Sequence, residues 1–274
     1  MRDHIILPAA AIVGGAAGFV LRLRQWAAAY DPEQERFASS GLTVGLVLIL
    51  AVFAALFLIA AFKCAPRGRA VPELCGDPLY MILMAAGGFV FFGAGVLGLL
   101  EGMEQLQLWR AGWSSTAASY PMALLLCGGL CLLSGAAVLM TGKCVYRPAQ
   151  GKTASLSVVL PGFSLLVWIF AAHQGHATDP IFMGYGIYLT AAILLTLANY
   201  DAAGAFHGRP HPRRMLFCTL MGTMLAISSL ADSLSLFQMA IAAAAALTSL
   251  GHLYAMLSPS YEVSQPETSS DPEL

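Results

Sequence analysis

Charge is what this sequence has least of. Asp, Glu, Lys and Arg make up 11% of its 274 residues, less than half the roughly 25% of an ordinary soluble domain. With 58% of residues hydrophobic, such a chain exposed to water would aggregate, whereas lipid is a solvent that suits it. The charge has no dominant sign either. Fourteen Lys and Arg face 15 Asp and Glu, a net of −1, so the basic footprint of a nucleic-acid partner is missing. No Asp, Glu, Lys or Arg falls near the middle of any long apolar run. That absence argues against a proton pump or an ion-coupled transporter built on buried carboxylates.

Motifs are missing as well. There is no H-E-x-x-H and no glycine-rich phosphate loop. No disulfide framework is suggested by the six cysteines, of which Cys64, Cys75 and Cys144 fall in predicted cytoplasmic loops. Cys127 and Cys131 sit four apart in one apolar run, on one helix face, and Cys218 lies in another. A redox pair would use that 127/131 spacing, but cysteine also packs well as a small apolar residue. His173 and His252 are expected at opposite ends of the molecule, which removes a shared haem. No cofactor is expected.

What the sequence does have is long apolar runs. A spanning helix needs about 20 mostly apolar residues, and eight segments qualify, near Ile5–Leu23, Gly41–Phe62, Leu79–Leu100, Tyr120–Thr141, Leu156–Ala172, Ile181–Ala203, Met215–Ala231 and Leu234–Leu257. The fold class is therefore all-α, a polytopic transmembrane helix bundle of about eight spanning helices over residues 1–257. The first run could imitate a signal peptide; with Asp3 beside Arg2 it is read as a retained span. Only Asp232 and Ser233 separate the last two runs, which read as a tight helical hairpin. The tail from Ser258 to Leu274 has three prolines, four acids and no Lys or Arg, and reads as disordered.

Loop charges give an orientation. With both termini on the cytoplasmic side, that side holds ten Lys and Arg and the outer side holds four, Arg22, Arg24, Arg36 and Arg110. This is the positive-inside pattern, so the expectation is N-in and C-in in a cell (inner) membrane. Trp26, Trp109, Trp113 and Trp168 then all fall near the outer interface, the layer that tryptophan favours. Leu106, Leu108, Trp109 and Trp113 in the third loop suit either a short interfacial amphipathic helix or an ordinary anchored loop.

Two similar openings, Ile5-Ile6-Leu7-Pro8 and Val158-Val159-Leu160-Pro161, are each followed by an Asp-Pro loop, Asp31-Pro32 and Asp179-Pro180. They suggest a weak four-plus-four repeat, 1–150 and 151–257. Gly14-x-x-x-Gly18 and Ala94-x-x-x-Gly98 predict close helix contacts. The seventh span has a small, weakly polar face of Thr219, Gly222, Ala226 and Ser229. The eighth has one of Gln238, Ala242, Ala245, Ser249 and His252. These two faces predict a tightly packed hairpin, or else a polar groove shared with the sixth span.

Ionisable residues cluster at helix ends. On the outer side are Arg22, Arg24, Glu101, Glu104, His173, His176, Asp179 and Asp232. If they converge they form a mixed acid and base vestibule for a polar ligand; otherwise each is a separate interfacial residue facing water. His173 and His176, with Asp179 three further on, also have a spacing that would suit one metal ion, although no metal is assigned. On the inner side, Asp201 either pairs with the basic loop of Arg209, Arg213 and Arg214, or meets His252 in a pH-sensitive pair.

The chain also resembles a group of bacterial multi-pass membrane proteins with no assigned activity. The resemblance rests on Leu160-Pro161, Asp179-Pro180, Tyr200 through Ala203-Gly204-Ala205-Phe206, Arg209-Pro210-His211-Pro212-Arg213, Leu230-Ala231-Asp232, and the first helix with Arg22, Arg24 and Asp31-Pro32. It implies a bacterial inner-membrane protein and nothing sharper. Three function classes follow, in order: a non-catalytic membrane component (subunit, assembly factor or sensor), a small-molecule permease or binding component, and an intramembrane enzyme. The expected partners are the bilayer and a protein in the membrane. No oligomeric state is indicated.

Overall fold

The computed structural model describes residues 3–31, 36–37, 41–65, 78–113, 117–146, 156–175 and 182–258. Among them are eight helices: α1 (Asp3–Ala29), α2 (Gly41–Lys63), α3 (Pro78–Arg110), α4 (Ser119–Tyr146), α5 (Val159–Gly175), α6 (Phe182–Phe206), α7 (Pro212–Ser229) and α8 (Leu236–Leu257). A two-residue antiparallel pair, β1 (Tyr30–Asp31) with β2 (Arg36–Phe37), closes the turn after α1. The fold is an all-α helical bundle.

Helix boundaries follow local rules. Pro78, Pro121, Pro161 and Pro212 stand in the first turns of α3, α4, α5 and α7, where the missing N–H costs nothing. Two helices end on glycines with φ of +74°, Gly112 and Gly208. At each, a six-to-one and a five-to-two bond close the last turn: Trp113 N–H to the Leu108 carbonyl with Gly112 N–H to that of Trp109, and Arg209 N–H to Gly204 with Gly208 N–H to Ala205. The third-loop expectation is corrected here. Residues 101–110 are neither a loop nor a separate interfacial helix but the continuation of α3, which runs unbroken to Arg110.

Among the described residues, six helices are long and apolar enough to cross a bilayer: α1, α2, α3, α4, α6 and α8. The other two differ for physical reasons. α5 has 17 residues, which at 1.5 Å each is about 26 Å, just under a hydrocarbon core of about 30 Å. α7 is less apolar because protein, not lipid, surrounds it. Nearly every residue from Met215 to Ser229 is buried, the polar Thr219, Thr223, Ser228 and Ser229 included. α2 is the opposite case. Of its 23 residues only Leu46, Phe57 and Ala61 are buried, and most of its valines and leucines, such as Val44, Val47, Leu48, Val52, Leu56 and Leu58, face outward.

The helices alternate in direction. His4 at the start of α1 packs its ring on Tyr254 at the end of α8, 5.7 Å between centroids, so the first and last helices meet at one end of the bundle. The most extensive contact is α3 with α4, followed by α3 with α8, α6 with α7, and then equally α1 with α7 and α4 with α5. The α7–α8 pair packs far less, so the expected tight hairpin is corrected: those helices are joined by a short turn, and their small faces go to other partners. On the α7 face, Gly222 lies against Leu194 and Leu195 of α6. On the α8 face, Ser249 accepts from Asn199 of α6 and His252 sits with Tyr80 of α3.

The α3–α4 contact is backbone on backbone. Gly88, Gly95 and Gly102 of α3 recur every seven residues, as do Gly128, Gly135 and Gly142 of α4. A Cβ added at Gly128 would lie 2.7 Å from the Leu99 nitrogen, and one at Gly135 would lie 2.9 Å from the Gly88 carbonyl oxygen. Small residues allow this approach, and dispersion contacts reward it when lipid tails supply no hydrophobic drive between helices.

Polar side chains inside the bundle are mostly satisfied. Asn199 of α6 donates to the Leu195 carbonyl at 2.9 Å and to Ser249 Oγ of α8 at 2.8 Å, and accepts from Thr248 at 3.3 Å. Ser134 donates to Ser164 at 3.1 Å, linking α4 to α5. Thr219 and Thr223 of α7 are among the exceptions: both hydroxyls are buried without a hydrogen-bond partner among the described residues. Removing a buried, unsatisfied hydroxyl at constant shape relieves a desolvation penalty of about 1–3 kcal/mol. The double replacement Thr219→Val, Thr223→Val is therefore expected to leave the detergent melting temperature unchanged or raise it, whereas Asn199→Ala should lower it.

Candidate functional site

The site is built around Arg22. On α1, Arg22, Gln25 and Trp26 have the i, i+3, i+4 spacing that puts them on one face. α1 does not stop at Leu23 but continues to Ala29, which carries that face into the bundle. Arg22 is 1% exposed and Asp232 is 8% exposed. The Arg22 guanidinium donates through Nε to Asp232 Oδ1 at 2.7 Å and through Nη1 to Gln25 Oε1 at 2.7 Å. Trp26 Nε1 donates to the same Asp232 oxygen at 2.8 Å, and Gln25 Nε2 donates to Thr43 Oγ1 of α2 at 3.0 Å. One network thus ties α1, α2 and the α7–α8 turn.

Local structure fixes each partner. In the turn, Asp232 N–H donates to the Ser229 carbonyl at 2.9 Å and Leu234 N–H to that of Asp232 at 2.7 Å. Ser235 then caps α8 in a reciprocal capping box with Gln238. On the other side, pairing of Tyr30 with Phe37 folds the chain back after α1. Phe37 reaches over the guanidinium at 4.8 Å, with Trp26 at 5.3 Å. These ring faces, 4.7 Å apart by centroid, shield a cation that is already paired and add a cation–π attraction.

Beside this network is a cavity of about 320 Å³ between α1, α2, α6 and α7. Arg22, Gln25 and Thr43 line one end, and Leu46, Leu50 and Leu225 line the rest together with other apolar groups. Thr190 also lines it, but its hydroxyl is committed to the Gly186 carbonyl at 2.7 Å. The volume is at the lower end of the about 300–1,000 Å³ of ligand pockets.

Of the eight residues expected at the outer vestibule, the structure brings together Arg22 and Asp232, in a closed pair and not in an open bowl. Glu101 is half-buried at the same end, near Ser235 in the α7–α8 turn. Arg24, Glu104 and His173 are exposed there, and His176 and Asp179 lie outside the described residues. Gln25 and Thr43 were not anticipated. The only signal for Gln25 is its spacing from Arg22, and nothing near Thr43 marks it.

At the opposite end, Asp201 is fully buried and takes both arms of the Arg214 guanidinium, Nε at 2.8 Å and Nη2. Of the two readings of Asp201, the pairing with the basic loop is the one seen. His252 instead sits with Tyr80, Oη to Nδ1 at 3.4 Å, and edge-on to Phe206. Among the described residues no three His, Cys, Asp or Glu side chains are grouped to hold a metal. Trp168, expected near the outer interface, is covered by protein on all sides and donates to Tyr188 Oη.

Comparison with family models, with curated proteins and with solved structures found no match to this chain.

Proposed function

We propose that this chain is a non-catalytic component of a bacterial inner membrane, a subunit, assembly factor or sensor, with both termini in the cytoplasm. The observation that supports this reading most is how its ion pairs are used. Arg22 with Asp232 ties α1 to the α7–α8 turn at one end, and Arg214 with Asp201 ties α7 to α6 at the other. Charges spent as clasps hold a scaffold together, and the broad apolar face of α2 then suits contact with lipid or another membrane helix. Gentle detergent extraction of the tagged chain from its native membrane, with mass spectrometry of what remains bound, tests this. A stoichiometric protein partner is expected, and a chain recovered alone overturns the reading.

The cavity beside Arg22 favours a second reading, a small-molecule permease or membrane binding component. A retained small molecule with no protein partner would bring it to first place. The orientation has its own test. Tags at the two termini should both be reached only after the cytoplasmic side is opened, and labelling of either from outside would overturn N-in, C-in.

A further inference from the structure

We draw no further inference here: the strongest candidate, the apolar groove between α5 and α6 lined by Gly162, Phe163, Leu166, Leu197 and Tyr200, carries nothing, because the Arg214 guanidinium beside Tyr200 is already held by Asp201 and nothing in the structure shows what covers the groove.

Discussion

Asp232→Ala should be among the most damaging single substitutions in this protein. It removes the carboxylate that accepts from Nε of the Arg22 guanidinium, which is 1% exposed. Breaking a buried pair from one side costs about 3–5 kcal/mol, because the remaining charge is uncompensated. The same change removes the acceptor of Trp26 Nε1, and so loosens the aromatic cover over Arg22. The expected readout is a large fall in the detergent melting temperature, with Arg22→Ala similar. The double variant Arg22→Met, Asp232→Leu should recover much of the loss, since apolar residues of similar volume often replace a buried pair without penalty. Such non-additivity is what a double-mutant cycle measures. If the two single losses simply add in the double variant, Arg22 and Asp232 are not coupled and do not clasp α1 to the α7–α8 turn.

The second large effect is expected at the α3–α4 contact. Gly135→Leu would push a side chain into the Gly88 carbonyl, and Gly128→Leu into the backbone between Gly95 and Leu99. Flexible side chains can move aside, but a helix backbone can do so only if the whole helix shifts. The cost should reach or pass the upper end of the about 1–3 kcal/mol typical of overpacking. Gly129 is the control. It is the next residue after Gly128, yet a Cβ there meets nothing within 4 Å. Gly129→Leu should be neutral or slightly stabilising, because leucine exceeds glycine in helix propensity by most of about 1 kcal/mol. Comparable melting temperatures for Gly128→Leu and Gly129→Leu would mean that α3 and α4 are not in backbone contact.

Both effects depend on features with very different visibility in the sequence. Arg22 and Asp232 stand out as ionisable residues flanking apolar runs, and both are site candidates on that ground alone. That they face each other is not readable, because 210 residues separate them and nothing local couples their positions. The depth of Arg22 is hidden for a related reason. Its helix continues well beyond the apolar run, so a residue that looks interfacial by composition is covered by Trp26 and Phe37. The glycine spacing in α3 and α4 is present in the sequence, but glycine is frequent in apolar helices, and a seven-residue spacing stands out less than the compact Gly14-x-x-x-Gly18. In the fold, Gly14 of that motif meets Phe53 of α2, and Gly18 meets Ser228 of α7, so its two glycines serve two different partners.

The sequence by itself determined that this is a helical membrane protein and roughly where each helix lies. Transfer of about 20 residues into hydrocarbon depends on their own composition and on satisfying their own backbone hydrogen bonds, and both are local properties. Which faces meet was decided only by the tertiary structure. Between apolar helices lipid exerts no directional hydrophobic pull, so the choice of partner rests on close packing and a few hydrogen bonds. That is why α7 packs chiefly on α6 and α1, and α8 on α3, rather than on each other. It is also why a cleft with a guanidinium at its end appears only when α1, α2, α6 and α7 are brought together.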